Sequence, residues 1–76
     1  MTNDKPSVPP ALTAWFSSGP ARNGGVIRMA RKDVDAKMGG NLRHVTAEAR
    51  RRGWHVVENG SQVIVFCNDG GLTIHC

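Results

Sequence analysis

Residues 54–76, WHVVENGSQVIVFCNDGGLTIHC, constrain the fold more than any other part of the chain. Asn59-Gly60 and Asp69-Gly70 are the residue pairs that two-residue type I′ turns favour, because both central positions of such a turn need a positive φ. They separate three runs rich in β-branched and other apolar residues, the composition of strands. Two type I′ turns would set the register: Val56 opposite Val63, Trp54 opposite Val65, Cys67 opposite Leu72, Val65 opposite Ile74, and Val63 opposite Cys76. All eight of these side chains then share one face, whereas a one-residue slip in either turn would scatter them. The stretch predicts a three-stranded antiparallel sheet whose other face carries His55, Val57, Gln62, Ile64, Phe66, Thr73 and His75.

A chain of 76 residues makes one domain, near the size at which a single core barely sustains itself. A large enclosed active site does not fit. Residues 1–10, MTNDKPSVPP, hold three prolines and no periodic pattern, and read as a disordered arm. Residues 11–76 read as one small α+β domain. The N-terminus lacks the apolar run of a signal peptide. The longest aliphatic and aromatic run, 63–66, is four residues, against the ~20 that a membrane helix needs. The expectation is a soluble, cytoplasmic protein with no membrane partner. Pro9 and Pro10 open a short helix over 11–16 with Leu12, Trp15 and Phe16 on one side. Residues 17–25 read as a loop broken by Gly19-Pro20 and Gly24-Gly25. VIRM at 26–29 fits a short strand. A helix is the alternative there, because Val26, Ala30, Val34 and Met38 recur at a spacing of four.

Charge is concentrated in the middle. Residues 21–53 carry nine Lys or Arg against three acids, whereas 54–76 carry only Glu58 and Asp69. Within that middle, RKDVDAKM at 31–38 predicts a helix of two turns ended by Gly39. Asn41 then caps a second helix over 42–52 that stops at Gly53. Winding the second helix at ~100° per residue puts Leu42, Val45 and Ala49 on one stripe. Arg43, Ala47, Arg50 and Arg51 fall on the opposite side, flanked by His44 and Thr46. A basic outward side suits a polyanion, and an ordinary solvated helix face is the plain alternative.

Other chemistries find less support. In the expected register Cys67 and Cys76 lie ~13 Å apart, beyond the ~7 Å that a disulfide allows between Cα atoms. His55 and His75 face away from the cysteines, and no Cys-x-x-Cys pair exists, so no metal site is expected. No histidine has a neighbouring carboxylate in that register to form an acid–base pair. No cofactor is expected, because none of the Gly-Gly pairs precedes a phosphate-binding lysine at the required spacing.

The segment RKDVDAKMGGNLRHV resembles the helix-turn-helix of bacterial and phage transcription regulators. Val34 and Met38 match the inner positions of the first helix, Gly39 the turn, Asn41 the cap, and Val45 the lock of the second helix. Asp35 stands where the family prefers a small residue, and Glu48 where it prefers an apolar one. The surrounding order (helix, short strand, helix, turn, basic helix, hairpin) is similar to a winged helix-turn-helix, with 54–67 as the wing. The resemblance implies a non-enzymatic DNA-binding regulator. It offers Arg43, His44, Thr46, Ala47 and Arg50 to the major groove, with Arg28, Arg31, Lys32 and Arg51 meeting phosphates. So small an interface implies a homodimer or another partner. RRRGWHVVENGS followed by strands also resembles the HicA-type toxins, RNA-binding proteins of double-stranded-RNA-binding fold. Their catalytic histidine follows the Gly-Ser, and Gln62 stands there instead, so no ribonuclease activity is carried over. A partner protein of the host is the remaining alternative, with His55, Ile64, Phe66 and His75 as the contact face.

Overall fold

The structure, a computed structural model, describes residues 9–38 and 42–76. Its elements in order are α1 (Pro10–Phe16), α2 (Gly19–Arg22), β1 (Val26–Ala30), α3 (Arg31–Lys37), α4 (Arg43–Arg52), β2 (His55–Asn59) and β3 (Gln62–Phe66). The four helices pack on one antiparallel sheet of order β1-β3-β2, the α+β class expected. The arm assigned to residues 1–10, save its last two, and the turn roles of Gly39 and Asn41 lie outside the described residues.

The sheet has the expected number of strands and one unexpected member. β3 is central, and the place expected for residues 72–76 is filled by β1, paired Ile27↔Val65 and Met29↔Val63. The physical reason lies at Asp69-Gly70. A type I′ turn needs positive φ at both residues, and no described non-glycine residue has one. Asn68 instead accepts the Gly70 N–H on Oδ1 at 2.9 Å and donates from Nδ2 to the Gly24 carbonyl at 3.0 Å. That local turn leads the chain off the sheet, and residues 71–76 are exposed without regular structure. β1 brings Ile27 and Met29 inward and runs directly into α3, so the strand reading of 26–29 wins over the helical one.

The β2–β3 hairpin forms in a different register from the expected one. Val56 faces Val65 and Glu58 faces Val63, two residues from the register that an Asn59-Gly60 turn would impose. The loop is Gly60-Ser61, with Gly60 at φ 59° and no positive φ at Ser61, as a Gly-first loop requires. A slip of two preserves the side-chain face. Trp54, Val56, Val63, Val65 and Cys67 therefore still point to the helices.

Against that face pack Leu12, Phe16, Ala21, Val34, Met38, Val45 and Ala49, in one cluster with Ile27, Val63, Val65 and Cys67. Each large side chain so buried stabilises the fold by about 1.5–3 kcal/mol. α2 replaces the loop expected over 17–25. Pro20 lies in its first turn, where a fixed φ favours helix, so Gly19-Pro20 begins a turn of helix and does not break one. α4 ends as its sequence demands. Gly53 adopts φ 77°, its N–H donates to the Arg50 carbonyl at 3.1 Å, and the Trp54 N–H donates to the Ala49 carbonyl at 2.8 Å. This paired closure satisfies two terminal carbonyls and turns the chain into β2.

Candidate nucleic-acid interface

α4 is held by burial of Val45 and Ala49, with Leu42 packed beside them. Helical periodicity then fixes what faces out. Arg43, Ala47 and Arg50 are exposed on the far side, and His44 and Thr46 flank them half-buried. The Thr46 hydroxyl donates to the Arg43 carbonyl at 3.1 Å. Arg50 forms no ion pair among the described residues. On the preceding helix, Lys32 is exposed.

Not every expected cation is presented in this way. Glu48, whose side chain is 14% exposed, gathers Arg51 through Nε and Nη2 and Arg52 through Nε at 2.7 Å. The hydrogen bond from Arg51 chiefly holds the Glu48 carboxyl below the usual carboxylate range; partial burial opposes this and Arg52 adds to it. The Arg52 guanidinium also lies over Phe16 (5.5 Å) and Trp54 (5.0 Å), whose rings are 5.2 Å apart. Arg51 remains 69% exposed while sharing this carboxylate. Sequence reasoning missed the packed role of Arg52. The spacing of Glu48 three and four residues before Arg51 and Arg52 was the signal that could have found it.

Arg31 is turned to two carboxylates, Asp35 at 3.1 Å and Glu58 at 2.8 Å, while its own N–H donates to the Ser61 carbonyl at 2.6 Å. It braces the start of α3 against the hairpin. Arg28 lies elsewhere. It pairs with Ile64, whose other partner is Val57, and alternation with inward Ile27 and Met29 places it on the sheet face away from the helices. The structure therefore brings together Arg43, His44, Thr46 and Arg50, with Arg51 at the same helix's end, and separates Arg28 from them.

The second group divides too. His55, Ile64 and Phe66 share the outer sheet face, where Val26 is 49% exposed. His75 sits in the exposed tail, off the sheet, because the second hairpin does not form. His55 Nε2 is hydrogen-bonded with the Gly70 carbonyl at 2.6 Å. Cys67 and Cys76 are free thiols, and burial pushes the Cys67 thiol up. Among the described residues no His, Cys, Asp or Glu side chains cluster as metal ligands, and no helix is long and apolar enough to cross a membrane. No protein-family model, no curated protein and no solved structure matches this chain.

Proposed function

We propose that this protein binds duplex DNA without catalysing a reaction, using the outward side of α4 as its reading surface. The observation that carries the reading is the division of α4 itself. Val45 and Ala49 are buried at 0% and 1% exposure, so Arg43, Ala47 and Arg50 are held outward on a rigid element. The succession of α3, α4 and a β2–β3 hairpin, with β1 completing the sheet, supports the winged helix-turn-helix resemblance. In this reading Arg43, His44, Thr46 and Arg50 approach base edges, where an arginine fork suits guanine. Lys32 meets phosphate, and Arg51, which shares the Glu48 carboxylate yet is 69% exposed, adds only part of its charge. Arg31 serves as a brace for the hairpin, and Arg28 takes no part. One helix reads few base pairs, so a second copy on an adjacent half-site supplies the remaining affinity. Such a protein acts as a regulator.

The experiment is fluorescence anisotropy with labelled random-sequence duplex DNA over a salt series. Three or four neutralised phosphates give a log–log slope on the order of −3, and Arg43→Ala together with Arg50→Ala removes the binding. Undiminished binding by that double variant refutes α4 as the reader. The open outer face, with Ile64, Phe66 and the half-exposed Val26, favours a partner protein as the second reading. Capture of a host protein, lost on Phe66→Ser and accompanied by no DNA retention, would replace the first reading with the second.

A further inference from the structure

The edge of the sheet nearest α4 is open in a way that the DNA reading does not use. Asn59 and Gln62 flank the two-residue Gly60-Ser61 loop and form a hydrogen-bonded pair. Antiparallel alternation then makes Val57↔Ile64 and His55↔Phe66 bonded pairs, and it turns the N–H and C=O of Val56 and Glu58 away from β3. Edge strands are ordinarily blunted by lysine, proline, a bulge or a covering segment. β2, HVVEN, contains neither lysine nor proline, its one charged residue, Glu58, is already paired with Arg31, and it runs in unbroken register with β3.

A cleft of about 420 Å³ lies between this edge and α4. Ala49, Trp54 and Val56 supply apolar lining, Thr46 and Arg50 line it from the helix, and Leu72, 42% exposed, lines it from the tail. Arg50 brings a positive charge with no ion-pair partner among the described residues, on a chain of net charge +4.

We propose that this cleft binds an extended peptide segment of a partner protein, which pairs with β2 as a fourth strand and directs an acidic side chain to Arg50. The outward backbone groups of Val56 and Glu58 suit an occupant with main-chain donors and acceptors in extended form, the mode of strand addition. The lining accepts one apolar side chain on the helix-facing side of that strand. A residue two positions along projects to the same side, and there Arg50 selects a carboxylate. This proposal stands independently of the DNA reading. The two ligands share Arg50, so peptide and duplex would compete where both bind.

The test is an amide NMR titration of the full chain with a blocked heptapeptide carrying threonine at odd positions and valine, glutamate and valine at even ones. A control peptide has lysine in place of the glutamate. The expected result is saturable shifts at Thr46, Arg50, Val56 and Glu58, with the lysine peptide about ten-fold weaker, the loss of one charge-assisted contact. Arg50→Glu is expected to reverse that preference. Glu58→Pro deletes an outward N–H that β3 does not use and is expected to weaken the glutamate peptide about ten-fold as well. If the proline variant fails to fold, the charge reversal at exposed Arg50 decides the matter alone. Equal affinity for both peptides, absence of binding, or shifts confined to Ile64 and Phe66 would overturn the proposal. So would a concentration-dependent dimer whose Val56 and Glu58 amides are protected from exchange until residues 72–76 are removed, because a second copy would then be the occupant.

Discussion

The two flanks of α4 carry the same kind of residue and use it in opposite ways. On the flank that meets α1, Arg51 and Arg52 converge on Glu48, and Arg52 lies over Phe16 and Trp54. On the outward flank Arg43 and Arg50 are exposed, and Arg50 has no carboxylate among the described residues. The difference comes from a single acid at the right helical spacing and an aromatic pair beside it. A count of arginines therefore overstates the charge offered to a ligand. Desolvation and local pairing decide which guanidinium groups belong to the fold.

Substitutions on either flank can break this contrast. The largest effect is expected at Phe16, which is 1% exposed and lies beneath Arg52. Phe16→Ala should lower stability by about 3–5 kcal/mol, read by urea denaturation, and a loss below about 1 kcal/mol would deny that the α1 flank is structural. Next comes the closure of α4 into β2. Gly53 holds φ 77°, so Gly53→Ala forces a Cβ into the left-handed region at about 1–2 kcal/mol. Circular dichroism melts should register that as a clear fall in Tm.

Glu48→Gln sharpens the comparison by its pH dependence. The folded carboxyl titrates below its ordinary range, chiefly through the Arg51 hydrogen bond. Its stabilisation is therefore fully present above the unfolded carboxyl's pKa and is lost as pH falls through the depressed folded value. The glutamine variant should be less stable at neutral pH and converge on the unaltered protein in acid. A gap that stays constant across pH would show that the pairing contributes nothing. The smallest effect on stability belongs to the outward flank. Arg50→Ala should change it by no more than about 0.5 kcal/mol while weakening duplex DNA binding. A large stability loss there would make the two flanks alike.

The inward side of α4 was legible in the sequence because its burial depends on one periodicity: Val45 and Ala49 are core residues as expected, and Val34 and Met38 are too. The inner sheet face was legible as well, since alternation survives a two-residue slip. Register was not, because Asn59-Gly60 and Gly60-Ser61 are both acceptable loops and the choice between them leaves the face unchanged. The third strand misled for a related reason. Leu72 and Ile74 alternate as a strand should, yet they are 42% and 74% exposed. Asn68 commits the intended turn to Gly24 and Gly70, and β1 offers Ile27 and Met29 to the same neighbour. At the candidate site, exposure of Arg43 and Arg50 followed from the helical wheel, but the capture of Arg31 by Glu58 joins residues 27 positions apart, and no local pattern encodes it.

Reading by the outward side of α4 is tested most directly by an amide NMR titration of the labelled protein with random duplex DNA at low salt. With α4 as the reader, shifts gather on Lys32, Arg43, His44, Thr46 and Arg50 and fade as salt is added. Shifts confined to His55, Ile64 and Phe66, or none at all, would contradict it.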